Sequence, residues 1–289
     1  MDFAAFVNDI RQNNWNVFGA EVYVDGRFTH AYGDTQENRH PIFSATKTIT
    51  SIALGMASAE GKLDITKPLT DYLPKELVNG MSTAQREAYG QIPLRRLMCM
   101  SVAGYPFRPQ GESWLRDSLS YPLPHPGTPT FDYSNISAYL AGVAATCALG
   151  ENLYDYLCRK LFAPLGIPNP PATFCPDGYF YGASGMELTV NELSRIGLLL
   201  YHGGEYEGHR LLSADYVREA TSVQQINREG GYGYFLWKYR DGFSINGKWK
   251  QKCYILPKEG LMVTYLSHIE DSSPALKESM EKHILGLSQ

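Results

Sequence analysis

Ser44 and Lys47 stand three residues apart in Ser44-Ala45-Thr46-Lys47, a spacing that could support acyl transfer. The apolar residues after Lys47 recur at intervals of three and four, and Gly61 fits the residue after a helix end. The pattern predicts a helix from about Ser44 to Glu60 that carries both side chains on one face. A hydroxyl beside an amine, where free N–H groups favour negative charge, indicates an acylation site.

The Ser-x-x-Lys pattern is weak by itself, because about one match is expected by chance in a chain of ordinary composition. The sequence contains a second match, Ser279-Met280-Glu281-Lys282, in a polar C-terminal segment that predicts a helix. We assign no function to that copy. The context of Ser44 must therefore decide whether it is a nucleophile.

A second candidate element is Tyr133-Ser134-Asn135, the only Tyr-x-Asn in the sequence. It immediately precedes an apolar segment that predicts a buried helix, so the phenol oxygen of Tyr133 would be held at a helix start. The side chain of Asn135 can donate and accept hydrogen bonds, as orienting a substrate amide requires. The same residues could also be an aromatic core residue and a helix cap.

Composition excludes several classes of function. Among 289 residues, 44% are hydrophobic and 19% charged, and the net charge of −4 includes no basic block, so we expect neither nucleic-acid nor membrane binding. The five cysteines are scattered and form no Cys-x-x-Cys, and the N-terminus does not resemble a signal peptide, which predicts free thiols in the cytoplasm. No metal-binding or phosphate-binding motif is present, so we expect no cofactor.

The order of predicted elements indicates one antiparallel sheet built from both ends of the chain, in an α/β (α+β) fold. A helix and a hairpin at Asp25-Gly26 open the chain, and a three-strand meander, with Phe243 to Leu256 as one strand, precedes a terminal helix. We expect a sheet lobe (1–65 and 170–289) and an inserted helical lobe (66–169), with the active-site cleft between them. Tyr105 to Pro129 is predicted to be a long functional loop.

Several motifs occur in an order that resembles one family, the serine β-lactamase-like hydrolases of the class C type, with a fold like that of penicillin-binding proteins. This family includes DD-peptidases and related esterases and amidases. The resemblance covers roughly Val17 to Leu266. The motifs are Ser44-x-x-Lys47 after a hairpin, Gly61-Lys62-Leu63-Asp64, Ile92 to Leu97, Pro126-Gly127-Thr128 leading to Tyr133-Ser134-Asn135, Leu161 to Ile167 and Ala183 to Thr189.

The resemblance implies a mechanism for three residues. Ser44 would attack a carbonyl to form an acyl-enzyme, and Lys47 and Tyr133 would share the proton transfer, with the identity of the general base left open. The backbone N–H of Ser44 would supply half of the oxyanion hole.

The chain departs from the family at its third motif, where a strand should carry a cation before a glycine. The corresponding stretch is Ile245-Asn246-Gly247-Lys248, in which Gly247 is kept and Ile245 replaces the cation. Together with Asn135, we predict Asn246, Gly247 and Lys248 as substrate-binding residues, although Lys248 could also be a solvated side chain. The missing cation favours a small-molecule ester or amide as substrate. A slow or non-catalytic ligand-binding or sensory protein, and a true β-lactamase or D-amino-acid peptidase, remain alternatives.

Overall fold

A computed structural model describes residues 1–287, and the chain opens with one helix and a hairpin. Helix α1 (Phe3–Gln12) is followed by strands β1 (Val17–Val24) and β2 (Arg27–Gly33). Asp25 and Gly26 connect the strands with φ angles of 46° and 94°, as a two-residue turn of type I′ requires. The predicted hairpin is confirmed.

The segment that carries Ser44 begins with a short strand and a tight turn. Strand β3 (His40–Pro41) leads into a 3₁₀ turn over Phe43–Ala45, and helix α2 (Thr46–Ala59) follows directly. Ser44 therefore lies in the 3₁₀ turn and not in the first α-helical turn that the sequence predicts. At the other end, Gly61 has a φ of 69°, the left-handed conformation expected after a helix.

Six helices form the middle of the described chain: α3 (Lys75–Asn79), α4 (Thr83–Tyr89), α5 (Leu94–Met98), α6 (Trp114–Ser120), α7 (Asn135–Leu149) and α8 (Leu153–Leu157). A π-helical turn over Cys158–Phe162 extends α8. Helix α6 lies inside the segment predicted as an irregular loop, and the Ser113 hydroxyl caps its start by accepting a hydrogen bond from the Arg116 N–H. The loop prediction was therefore wrong for this part of the segment.

The remaining elements return the chain to the sheet: β4 (Glu187–Leu188), α9 (Val190–Tyr201), β5 (Glu205–Tyr206), β6 (His209–Arg210), α10 (Ala214–Thr221), β7 (Trp237–Tyr239), β8 (Gly242–Gly247), β9 (Gln251–Leu256), β10 (Leu261–Ser267) and α11 (Ala275–His283). Thr189 and Glu192 form the capping box predicted for α9. Strand β4 pairs with β3 and so ties this part of the chain to the segment before Ser44.

The main sheet has six antiparallel strands in the order β2-β1-β10-β9-β8-β7. Helices α1 and α11 pack on one face, where Phe6 and Met280 are buried with Tyr265. Helix α9 covers the other face, since a Cβ at its Gly197 would touch Cys253 and Met262. The predicted mixed fold, with an antiparallel sheet drawn from both ends of the chain, is confirmed. The lobe boundaries at 65/66 and 169/170 stay a prediction.

The predicted single strand from Phe243 to Leu256 is in fact two strands. A 3₁₀ turn over Lys248–Lys250 separates β8 from β9, and Trp249 and Lys250 have φ angles of 59° and 66°. L-residues in this left-handed region cannot continue a strand, so the chain reverses there. No helix within residues 1–287 is long and apolar enough to cross a membrane.

Gly247 allows the end of β8 to approach the segment before Ser44. A Cβ at Gly247 would lie 2.2 Å from the Ile42 carbonyl oxygen, which is a backbone atom that cannot turn away. We expect Gly247→Ala to lower the free energy of unfolding by about 1–3 kcal/mol because the strand must shift. Urea denaturation measures this change.

The matched control is Gly127→Ala, where an added Cβ would meet only the flexible Gln91 side chain, at 3.1 Å. Equal losses of stability in the two variants would contradict the close approach at Gly247.

Candidate active site

Ser44 lies on a backbone that is strained immediately before it. Phe43 has a φ of 48°, a backbone conformation that costs a non-glycine residue about 1–3 kcal/mol. Residues with such strain are found most often at functional sites. Its ring packs edge-on against Trp249, with centroids 4.8 Å apart. The Ala45 N–H donates to the Ile42 carbonyl at 3.1 Å and closes the turn. These contacts hold the Ser44 hydroxyl at the start of α2.

Lys47 is fully buried one turn later, and its amine contacts three oxygen atoms. Its Nζ lies 2.9 Å from Ser44 Oγ, 2.7 Å from Asn135 Oδ1 and 2.8 Å from the Ala183 carbonyl oxygen. Within residues 1–287 no carboxylate forms an ion pair with this amine. Burial without a counter-charge disfavours the ammonium form and lowers the pKa of Lys47 to about 7.

Asn135 connects Lys47 to the helical part of the molecule. It is the first residue of α7, and the preceding Ser134 caps this helix by accepting a hydrogen bond from the Ile136 N–H. Asn135 Nδ2 donates to Tyr181 Oη at 2.9 Å, while its Oδ1 accepts from Lys47. The amide of Asn135 is thus held from both ends.

Tyr133 covers the opposite side of Lys47. The Lys47 Nζ stands 4.9 Å from the centre of the Tyr133 ring, and the ring stacks against Trp237 with centroids 5.7 Å apart. Burial raises the pKa of Tyr133 to about 12, although a hydrogen bond with the Ser44 side chain acts in the opposite direction. The phenol is therefore protonated at neutral pH. The structure brings together the three residues predicted to be catalytic, and their roles remain predictions.

The four residues of the third motif lie in different surroundings. Ile245 is fully buried in the same core as Ile42, while Asn246 pairs with Lys252 and points to the opposite face of the sheet. The side-chain oxygen of Asn246 is buried without a hydrogen-bond partner. Lys248 is exposed on the turn after β8, and not within a strand as predicted.

A cleft of about 480 Å³ opens over Ser44. It is lined by Phe43, Ser44, Phe107, Arg108, Pro109, Trp114, Asn135, Tyr181, Ser184 and Lys248. Of the residues predicted for substrate binding, Asn135 and Lys248 belong to this lining, whereas Asn246 and Gly247 do not. A volume of this size suits a small molecule.

Sequence reasoning missed Arg108 and Tyr181 as lining residues. Tyr181 stands two residues before Ala183, the start of a motif-like segment, so its proximity to the site could have been inferred. Arg108 lies in the long segment between α5 and α7, which was expected to be functional, but nothing in its own sequence context singles it out.

The second Ser-x-x-Lys has none of these surroundings. Ser279 donates to Asp9 Oδ2 at 2.7 Å inside the packing of α11, and Lys282 is exposed. A hydroxyl held by a carboxylate, with no buried amine beside it, has a structural role. Across residues 1–287 no group of three or more His, Cys, Asp or Glu side chains could hold a metal ion.

Known proteins resemble this chain over almost its whole length. Residues 19–284 match the family model described as Beta-lactamase. A 6-aminohexanoate-dimer hydrolase from Paenarthrobacter ureafaciens is 23% identical, over 92% of this chain and 75% of that protein.

Two solved structures share the fold. A D-stereospecific amidohydrolase from Streptomyces sp. has a TM-score of 0.73 at 19% identity, covering 100% of both chains. A beta-lactamase from Sulfitobacter sp. EE-36 has a TM-score of 0.75 at 17% identity, covering 98% of this chain and 96% of that one. The protein therefore belongs to the beta-lactamase family, and it is a hydrolase of the family that acts through a serine acyl-enzyme.

Proposed function

We propose that this hydrolase cleaves a small ester or amide, with Ser44 as nucleophile, Lys47 as general base and Tyr133 as the group that passes the proton to the leaving atom. The observation that carries the proposal is the fully buried Lys47 amine, held 2.9 Å from Ser44 Oγ. A hydroxyl becomes nucleophilic when a base within hydrogen-bond distance accepts its proton.

The hydrogen bonds around Lys47 suit a neutral amine. A neutral amine has two protons and one lone pair, and two of the three contacts, Asn135 Oδ1 and the Ala183 carbonyl, accept hydrogen bonds but cannot donate them. Both protons are then used, and the lone pair faces the hydroxyl of Ser44. A pKa of about 7 makes this neutral form abundant at neutral pH, where a general base is most effective.

Tyr133 fits the second proton transfer better than the first. With a pKa of about 12 it has almost no phenolate at neutral pH, so it is a poor base. As a phenol it can donate its proton to the leaving oxygen or nitrogen and recover one from Lys47. Ser44 would bond to the carbonyl carbon as the leaving group departs, and water would then release the acid and free Ser44.

The negative oxygen formed in each step needs backbone donors. We assign this role to the N–H of Ser44 and to the N–H of Lys248, which follows the close approach of Gly247 to Ile42. Removing one such donor in other hydrolases typically costs about 10²–10³ in rate.

The substrate is proposed to be an acyclic ester or amide and not a β-lactam. At the strand position where the family's third-motif cation would bind the carboxylate of a β-lactam, this chain has the fully buried Ile245, so we expect no carboxylate to be bound at that position. The amide of Asn135, at the edge of the cleft, can align a substrate amide or carbonyl group. A pure ligand-binding protein would require neither a buried neutral lysine nor a strained serine turn.

We also propose that the protein works in a reducing compartment such as the cytoplasm. All five cysteines are free thiols, as is usual where disulfides are kept reduced.

The nucleophile can be tested by mass spectrometry after treatment with a fluorophosphonate. We expect one phosphonyl group on the parent protein and none on Ser44→Ala, because only a hydroxyl with a base beside it reacts quickly. Hydrolysis of an aryl ester should be lost in the same variant.

Ser279→Ala is the matched control, since it removes the serine of the second Ser-x-x-Lys. It should be labelled like the parent. Absence of labelling and of ester hydrolysis in the parent would support the ligand-binding alternative.

The assignment of Lys47 as base predicts a pH profile. Below its pKa the amine is protonated and has no lone pair, so the acylation rate should fall about tenfold per pH unit below about 7 and level off above it. The rate of fluorophosphonate labelling between about pH 5 and 9 measures this curve.

Asn135→Asp would put a carboxylate next to the Lys47 amine and stabilise its ammonium form, moving the inflection up by about 1–3 pH units. Asn152→Asp, at the partly exposed cap of α8, should leave the curve unchanged. An unchanged inflection in Asn135→Asp would refute Lys47 as the base.

A further inference from the structure

Two cations line the cleft, and neither is paired with a carboxylate within residues 1–287. Arg108 comes from the segment before α6, and Lys248 from the turn after β8. No Asp or Glu lines the cleft. Lys250, on the same turn as Lys248, is by contrast paired with Asp271 at 2.8 Å.

Arg108 is held in position by the start of α7. The Ser134 hydroxyl donates to the Pro106 carbonyl at 2.8 Å, and the Asn135 N–H donates to the Phe107 carbonyl at 2.9 Å. The guanidinium carbon lies 5.8 Å from the centre of the Phe107 ring. The same residue, Asn135, thus anchors the wall that carries Arg108 and contacts Lys47.

Lys248 is held by the sheet. Its carbonyl accepts a hydrogen bond from Gln251 Nε2 at 3.0 Å, and its Nζ lies 4.6 Å from the centre of the Trp249 ring. Trp249 stacks on His268 with centroids 4.0 Å apart. An aromatic face favours a nearby cation but does not neutralise its charge, so Lys248 remains able to bind an anion.

From this arrangement we propose that Arg108 and Lys248 select substrates that carry a carboxylate, an inference that rests on the proposed function of Ser44. Both residues stand apart from the buried position of Ile245, where the family's cation is missing. The two positive charges create a field that attracts an anion, and a charge-assisted hydrogen bond adds specificity. Tyr181 lines the same cleft, and its hydroxyl accepts from Asn135, which leaves the phenol proton free for a substrate oxygen.

Matched aryl esters test the selection. On the acyl part, the para-nitrophenyl ester of hexanoic acid is compared with the para-nitrophenyl half-ester of hexanedioic acid. On the leaving part, the phenyl ester of hexanoic acid is compared with its para-carboxyphenyl ester. The rate measured with Ser44→Ala is subtracted from each rate, to remove hydrolysis that does not depend on Ser44. We expect kcat/KM to be about tenfold or more higher for the charged member of at least one pair.

Charge-removing variants assign the preference to residues. Arg108→Met and Lys248→Met should each bring the ratio of charged to neutral ester several-fold closer to one, and about 0.5 M salt should reduce the parent's ratio. Lys258→Met removes an exposed lysine from the turn at the other end of β9 and should leave the ratio unchanged.

Failure of this inference can be told from failure of the proposed function. Ser44 labelling and ester turnover with no preference for the charged member of either pair would overturn the inference alone. A preference that survives in Arg108→Met and Lys248→Met would overturn it as well. Loss of labelling in the parent would overturn the proposed function.

Discussion

The buried amine of Lys47 is the interaction on which the rest of the site depends. Placing an ammonium group in an apolar interior is costly, and a carboxylate partner would offset part of that cost and keep the amine charged. Here the contacts are a hydroxyl, a side-chain amide and a backbone carbonyl, all of them neutral. They satisfy the hydrogen-bonding groups of the amine without supplying a counter-charge, and burial then lowers the pKa of Lys47 to about 7. In the proposed mechanism, this choice of partners lets Lys47 accept the proton of Ser44.

Those partners come from three distant parts of the chain, so the fold must hold them at fixed distances from the amine. Pairing of β3 with β4 brings Ala183 to α2, and Thr50 strengthens the same contact by donating to the Gly182 carbonyl at 2.7 Å. Helix α7 presents Asn135, and contacts between α2 and α7 fix their distance. Gly197 allows α9 to lie close on the sheet. Small residues and backbone hydrogen bonds therefore position the reactive groups of the site.

Local sequence signals predicted much of the architecture and missed what depends on distant contacts. The Asp25-Gly26 hairpin and the Thr189 capping box are determined within a few residues, and both were found. The predicted strand through Trp249 failed because distant residues hold its left-handed conformation. Its ring stacks on His268, and its carbonyl accepts a hydrogen bond from Ser267, eighteen residues away along the chain. Helix α6 was not predicted because the prolines on both sides of it indicated a loop. Arg108 lies at the cleft because the start of α7 binds the backbone carbonyls just before it, and no local sequence pattern predicts those hydrogen bonds.

Ile245 leaves the interior without a further charge. A lysine at that fully buried position would be a second buried ammonium group, whose desolvation is costly without a charged partner. With Ile245 in place, the core stays apolar, and desolvation is the single cause of the lowered pKa of Lys47. The positive charges of the site lie instead at the rim, on Arg108 and Lys248, where both side chains are exposed and remain hydrated. In the proposed mechanism, burial therefore sets the pKa of the Lys47 base, whereas the charged residues at the rim could change without altering that pKa.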